Sequence, residues 1–459
     1  MKIGIVGSGI AGLSAAFALG PNHDVTLIND DSRPGGHSHT VTVDLPEGQI
    51  PVDCGFIVFN RKNYPNFSRL LDYLNVKTQL ADMTFATSID SGGLEFKGGF
   101  GLSALFAQRR NVVRPRFLNL LRAINKFHRV ATDAFLDPKP LPNTLSEFLS
   151  IHKLDKTHLS RDYLYPMMAA IWSGKSASMG EMPTRTFLQF FHNHGLLSID
   201  GKPLWYTVTG GSKTYVSALL NHLDIRTKFG SAARNIQRLD SEVIIECEDG
   251  HAESFDEVIL STHSDQALSL LGANATLAEK EILGKVPYAP NKGYLHTDKS
   301  LMPRKKRAWG SWNYLRQGKA HEAENRPVSL TYWMNNLQRL PTKTDVFLTL
   351  NPEHPPEERS ILHELRFNHP QFGPQSSAAQ AKLHTIQGQK RVWFAGAWCG
   401  YGFHEDGCQA GLAVAETLGS PAPWAREVVP VSSAVNCVDR TSYLQRKNAI
   451  TEAVAIAAE

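Results

Sequence analysis

Apolar and polar positions set the first structural expectations. Lys2–Val6 is a short apolar, β-branched run and predicts a buried strand. Ile10–Leu19 is rich in alanine and leucine and predicts a helix. Residues 25–28 form a second apolar run and predict a second strand. Between the first strand and the helix stand Gly7, Gly9 and Gly12, in G-x-G-x-x-G register. Gly7 lets the chain turn sharply, Gly9 lets backbone approach a pyrophosphate, and Gly12 lets the helix pack close to the sheet. The helix start, at Ile10 and Ala11, offers unpaired N–H groups and a positive dipole to phosphates. Strand, glycine turn, helix and strand together make the context that a dinucleotide site requires and that a lone glycine motif lacks.

The pattern continues as a mosaic. Residues 66–74 have helical spacing, and residues 76–96 read as strands with turns. Phe117, Leu121, Ile124 and Ala131 mark one face of a further helix, with Arg122, Lys126 and Arg129 elsewhere on it. Residues 145–197 look mainly helical. Their apolar set, which includes Tyr163, Met167, Ile171, Trp172, Phe187 and Phe190, reads chiefly as core. Residues 205–215 hold a G-G turn before a helical run at 216–223. Residues 236–247 and 255–261 read as strands, as do 329–335 and 346–351. A final apolar strand, 392–395, runs into a helix that begins near Glu405.

Composition narrows the function classes. A chain of 459 residues accommodates two or three domains, and a net charge of +4 is too small to argue for nucleic-acid binding. Five scattered cysteines without C-x-x-C spacing fit a reducing cytoplasm and argue against structural zinc. His37 and His39 form an H-x-H pair, as do His192 and His194. Neither has a third ligand cluster nearby, so no metal site is expected. No apolar run is long enough to span a bilayer. The glycine motif occurs once, which disfavours a second dinucleotide site. Neither a G-x-S-x-G elbow nor a phosphate-binding Walker loop is present.

Motifs at both ends carry a family resemblance. Arg33, Gly35 and Gly36 follow the second strand as R-x-G-G, and residues 52–55, ending at Gly55, contain a D-x-G segment. Residues 392–419 place Gly396, Gly402, Phe403, His404, Glu405 and Gly407 around the start of the last helix. These segments resemble the flavin-containing amine oxidoreductase superfamily. The resemblance implies an α/β fold, with a Rossmann-like FAD-binding domain of the amine oxidase type and an inserted α+β substrate domain. It implies FAD bound by Gly7, Gly9, Ile10, Ala11, Gly12, Arg33, Gly35, Gly36 and Gly55 at one end of the chain. Gly396, Gly402, His404, Glu405 and Gly407 would lie around the flavin at the other. The acidic residue that usually ends the second strand and bonds the adenosine ribose is Asn29 here, followed by Asp30; either suits that role. His404, Phe403 and Lys292 are the candidate catalytic residues. Phe403 falls where amine oxidases place one aromatic of their flavin-side cage, and Lys292 lies close to where they carry a lysine.

The implied organisation is an FAD-binding domain from residues 1–85, 205–285 and 385–424. A substrate domain would come from a helical segment, 86–204, and a sheet segment, 286–384, with 425–459 as a C-terminal tail. Segments such as 286–303 and 400–407 resemble a bacterial branch commonly linked with cyclopropane-fatty-acid synthase-type methyltransferases. That resemblance implies FAD-dependent oxidation or desaturation of modified fatty acyl chains in the cytoplasm. A conventional amine oxidase and a non-catalytic flavoprotein that binds lipid for a partner methyltransferase are the alternatives. The cluster Arg109, Arg110, Arg114 and Arg116, and the run at 304–307 beside Trp309 and Trp312, suggest a peripheral contact with anionic phospholipid.

Overall fold

A computed structural model describes residues 1–98, 106–137, 139–172, 174–197, 203–316 and 328–428. Its centre is a five-stranded parallel sheet made of β1 (Lys2–Val6), β2 (Asp24–Asn29), β9 (Arg226–Phe229), β13 (Glu257–Leu260) and β19 (Val392–Phe394), in the order β19-β13-β1-β2-β9. Three distant stretches of chain thus close one sheet. The helix Ile10–Leu19, α1, is buried along its whole length. It lacks a polar stripe because it lies between the sheet and the closing helix, His404–Thr417. A Cβ on Gly411 would sit 2.1 Å from the Ala11 carbonyl oxygen, so only glycine permits this approach of the two helices. The continuous apolar runs of β1 and β13 follow from the same cause, since a parallel sheet covered on both faces has no side for polar residues.

A three-stranded antiparallel meander, β10 (Ala233–Arg238), β11 (Val243–Cys247) and β12 (Ala252–Phe255), packs on this sheet; a Cβ on Gly4 would meet Ile245 and Phe255. Two short pairs connect the halves of the molecule. They are the hairpin β3 (Thr40–Leu45) with β4 (Gly48–Asp53), and β5 (Thr78–Ala81) with β8 (Trp205–Val208).

The second large sheet has seven strands in the order β18-β14-β17-β16-β15-β6-β7. They are β6 (Phe85–Ile89), β7 (Leu94–Lys97), β14 (Tyr288–His296), β15 (Trp312–Leu315), β16 (Leu330–Trp333), β17 (Phe347–Leu350) and β18 (Ile361–Pro370). Helices from 115–193 pack against it. In the helix Pro115–Leu136 the buried face is Phe117, Leu120, Ala123, Phe127 and Ala131. Leu121 and Ile124, which the sequence pattern puts on that face, are half-buried beside it. One residue is about 100° of helix rotation, so a core stripe shifted by one position leaves them at its edge.

Asp53 clasps the parts together. Its buried carboxylate accepts from the Ser212 N–H at 2.8 Å, the Ser212 hydroxyl at 2.8 Å and the Gln338 Nε2 at 3.1 Å. Ser212 follows Gly210 and Gly211, both at positive φ, so the G-G turn returns the chain to this acid. Burial pushes the Asp53 carboxyl up to about 6 against these donors.

The tryptophans beside the 304–307 run point inward. Trp309 is buried and donates from Nε1 to the Pro303 carbonyl at 2.7 Å, and Trp312 is half-buried. The sequence reading that sets both beside anionic phospholipid is therefore corrected: Trp309 packs edge-on against Phe347, and Trp312 against Tyr332. No described helix is long and apolar enough to cross a membrane. The four described cysteines, Cys54, Cys247, Cys399 and Cys408, are buried, and Cys437 lies outside the described residues, as does most of the expected tail.

Candidate active site

A cavity of about 710 Å³ lies between the parallel sheet and the seven-stranded sheet. One arm is walled by backbone. Gly7, at φ +107°, turns the chain off β1 and donates to the Ile28 carbonyl at 2.8 Å. Gly9, Ile10 and Ala11 then present the start of α1 to the cavity. A Cβ on Gly9 would meet nothing within 4 Å, whereas one on Gly12 would lie 1.9 Å from the Gly7 carbonyl oxygen. The two glycines therefore do different work: Gly9 keeps an open cradle, and Gly12 seats the helix.

Gly35 and Gly36 form the opposite rim. The Gly35 N–H donates to the Ser8 carbonyl at 3.0 Å, and Gly36 approaches Gly9 so closely that its Cβ would be 3.1 Å from the Gly9 Cα. Arg33 braces this rim from outside the cavity by donating to the Gly36 and Ser38 carbonyls. Gly55 also lines the cavity; a Cβ there would be 2.1 Å from the His37 carbonyl oxygen.

The end of β2 distinguishes two neighbours. The Asn29 amide is committed internally: Oδ1 accepts from the Ser8 N–H at 3.0 Å, and Nδ2 donates to the Asp31 carbonyl at 2.9 Å. Asp30 is exposed at the cavity edge. Asn29 knits the glycine turn to β2, and Asp30 is the carboxylate with free access to a hydroxyl-bearing ligand.

The last strand and closing helix complete the wall. Gly396 and Gly402 line it, Gly402 at φ +91°. His404, in the first turn of the closing helix, is sandwiched by aromatics. Phe56 stacks on it at 3.8 Å with rings 9° from parallel, and Phe67 meets it edge-on at 4.9 Å. Its Nε2 lies 2.8 Å from the Tyr215 hydroxyl, which lies 2.5 Å from the Ser38 hydroxyl. Burial holds the imidazole well below its ordinary range, so it is neutral.

Besides Gly12 and Arg33, three sequence candidates lie away from the cavity wall. Lys292 is on the solvent side of β14, paired with Glu364 at 3.1 Å. Strand alternation decides this, because Asn291 and Gly293 take the inward positions. Glu405 faces backward and caps the helix Pro65–Tyr73, α2, accepting from the Asn66 and Phe67 N–H groups at 3.0 Å each. Gly407 packs against Ile10.

The second arm is apolar. Met83, Phe85, Met167, Ile171, Trp172 and Phe190 contribute to its wall. Phe403 stacks on Phe190 at 5.1 Å and sits 6.3 Å from Trp172, which donates from Nε1 to the Tyr401 carbonyl. Met167, Ile171, Trp172 and Phe190, read from sequence chiefly as core, are thus cavity wall; helical spacing alone does not distinguish an inward face that meets side chains from one that meets a void. Tyr215, Ser38, Phe56, His263 and His369 were not singled out, because strand ends and loops far apart in sequence bring them together.

The arrangement fits a flavin dinucleotide. The glycine cradle, the α1 N-terminus and the Asp30 carboxylate suit pyrophosphate and ribose, and the buried His37 Nε2 has no hydrogen-bond partner in the protein. Among the described residues no cluster of histidine, cysteine and acidic side chains could hold a metal ion.

Comparison with known proteins agrees. Residues 10–349 match the flavin-containing amine oxidoreductase family. The fold is similar to a CLA-producing fatty acid isomerase from P. acnes, at 15% identity and a TM-score of 0.64, covering 91% of this chain and 98% of that one. It is also similar to cyclohexylamine oxidase from Brevibacterium oxydans, at 14% identity and a TM-score of 0.63, covering 91% and 99%. A putrescine oxidase bound to putrescine matches at 12% identity and a TM-score of 0.64, covering 91% and 98%. The chain belongs to the flavin-containing amine oxidoreductases and is an FAD-dependent oxidoreductase.

Proposed function

We propose that this oxidoreductase acts on fatty acyl chains, oxidising or desaturating modified, methylated or cyclopropane-type, acyl groups. The observation that carries this reading is the absence of charge in the second arm. Among the described residues lining the cavity the one acidic or basic side chain, histidines aside, is Asp30, at the glycine-turn end. An amine arrives as an ammonium ion and loses much hydration on entering a dry arm unless a carboxylate or a tight aromatic cage meets it. A hydrocarbon chain has no such cost and gains roughly 0.8 kcal/mol for each CH₂ buried. The fold shared with a fatty acid isomerase is consistent with this substrate class.

The residues divide the work. Phe190, Phe403 and Trp172 exclude water and hold the chain against one face of the cavity. His404, neutral and fixed by Phe56 and Tyr215, borders the junction of the arms. Bound flavin supplies the acceptor for a hydride or its equivalent. The test is anaerobic mixing of the FAD-loaded protein with phospholipids and free fatty acids of defined acyl composition, followed by flavin absorbance. Bleaching by acyl lipid supports the proposal. Bleaching by putrescine or cyclohexylamine and not by lipid supports an amine oxidase. Bleaching by neither supports a lipid-binding flavoprotein that serves a methyltransferase.

We further propose that the substrate is taken from an anionic membrane surface. Both basic segments adjoin the turn between β6 and β7. Arg110 and Arg114 donate to the Gly93 carbonyl at 2.7 and 2.6 Å, and a Cβ on Gly92 would meet the Arg304 side chain at 2.8 Å. Arg109, Arg110, Arg304, Lys305, Lys306 and Arg307 are exposed and in no ion pair among the described residues, and Val112 and Val113 are exposed beside them. Arg116 does not join them, because it is bound by Asp90 and Asp162. Each exposed cation near an anionic bilayer contributes on the order of 1 kcal/mol.

A further inference from the structure

The junction of the two arms holds histidines that the reading above leaves without a role: His37, His263 and His369. His37 and His369 have ring centroids 5.5 Å apart, and His37 and His263 6.3 Å. His369 sits near the end of β18, opposite Ala289 on β14, and its ring lies parallel to that of Phe367, 8° apart.

A chain of amide hydrogen bonds runs to His369 from behind. The Lys292 N–H donates to Asn351 Oδ1 at 3.0 Å, and the Asn351 N–H donates to the Lys292 carbonyl at 2.8 Å. Asn351 Nδ2 donates to Asn291 Oδ1 at 2.6 Å. Asn291 Nδ2 donates to the Ala289 carbonyl at 2.9 Å and reaches His369 Nδ1 at 3.2 Å. The Ala289 carbonyl can only accept, so the atom facing it must be the amide nitrogen of Asn291. Lys292 N–H can only donate, so the atom facing it must be the amide oxygen of Asn351. Both amides are thereby oriented, and the orientation passes to the ring: Nδ1 of His369 meets an N–H and must accept. A neutral imidazole that accepts at Nδ1 carries its proton at Nε2.

We infer that His369 is held in its Nε2–H tautomer by Asn291 and Asn351, and that it offers this N–H as a donor to an electron-rich oxygen or nitrogen at the junction of the arms. Asn291, 3% exposed, and Asn351 are positioning residues. The acceptor belongs either to the flavin ring or to the polar head of the substrate. Burial and the neighbouring His263 push the His369 imidazole down to about 4, so it stays a neutral donor through the physiological range. His369 itself lines the cavity, so a ligand there lies within its reach. The tautomer assignment does not depend on the acyl reading.

The test begins with the FAD-loaded protein carrying ¹⁵N-labelled histidine, with His369 assigned by its loss in His369→Phe, a change that keeps a ring beside Phe367. The expected spectrum shows His369 protonated at Nε2 and unprotonated at Nδ1. Asn291→Asp puts an acceptor against Nδ1 and should move the proton there. A wild-type ring protonated at Nδ1 overturns the inference. His369→Phe then separates the acceptors. A lower flavin midpoint potential without substrate identifies the flavin. An unchanged potential with oleate binding weakened roughly tenfold, the scale of one neutral hydrogen bond, identifies the substrate head. If neither changes, His369 donates to neither and the inference falls.

Discussion

Glu405 and Asn66 are 339 positions apart in the chain, and the Glu405 carboxylate accepts from both the backbone N–H of Asn66, at 3.0 Å, and its side-chain amide, at 2.9 Å. A residue of the closing helix thus caps α2, with Phe67 N–H on its other oxygen. Glu405→Gln puts an NH₂ where one of these N–H donors needs an acceptor, and should cost about 1–3 kcal/mol. Burial raises the Glu405 carboxyl from 4.5 to about 8. The folded state then keeps a proton that the unfolded state has lost between those values. Stability from this group rises as pH falls from about 8 toward 4.5. Urea unfolding at pH 5 and pH 8 should show a wider gap between wild type and variant at pH 5. A gap no wider at pH 5 than at pH 8 would mean that the acid is ionised in the fold.

Gly9 and Gly12 should fail in different ways. Gly9→Val fills the open cradle and should give folded, colourless protein that no longer retains FAD. Gly12→Ala drives a Cβ into the Gly7 carbonyl and should lower the melting temperature of the apoprotein. Absorbance at the flavin band and thermal unfolding measure the two effects separately.

His404→Ala should keep FAD bound while slowing flavin reduction by substrate, because it removes the stacked wall between Phe56 and Phe67. Tyr215→Phe leaves that wall in place and frees one edge of the imidazole, so its effect should be smaller. Stopped-flow reduction measures both. Equal rates in all three proteins would assign His404 to helix packing alone.

His194 is half-buried against Phe190, with ring centroids 3.9 Å apart, and desolvation lowers its imidazole from 6.5 to about 4. The unfolded state therefore takes up a proton between those values while the folded state does not. Stability is lost as pH falls from 6.5 toward 4 and returns as pH rises. His37 adds the same sign, its value being about 3. His194→Phe keeps a ring against Phe190 and removes one titrating group, so melting temperatures at pH 5 and 7 should lie closer together than in wild type.

Vesicle co-sedimentation tests the basic surface. Wild type should bind vesicles rich in phosphatidylserine and not neutral ones, with binding lost at high salt. Replacing Arg109, Arg304 and Arg307 with glutamate should abolish binding while leaving FAD content unchanged. Binding that ignores lipid charge would point instead to Val112 and Val113.

The sequence alone determined the glycine turn, the first helix and the apolar strands on either side of it. Their cause is local: a sharp turn needs Gly7, a close helix needs Gly12, and a sheet covered on both faces needs unbroken apolar runs. The FAD-binding character was legible for the same reason, since the R-x-G-G segment and the closing strand and helix keep their chemistry within a few residues. Tertiary structure alone decided which neighbour faces the ligand. Asn29 and Asp30 are indistinguishable as sequence candidates, yet the fold spends one on the glycine turn and frees the other. Lys292 and Asn291 differ by one position, and strand alternation sends one to solvent and the other to His369. Glu405 is adjacent to His404 on one helix, and a rotation of about 100° per residue turns it away from the cavity toward α2. The apolar arm and the histidine junction were hidden for a further reason: β14, β18, the glycine rim and the helical insertion contribute a few residues each, and no spacing along the chain records how those elements meet.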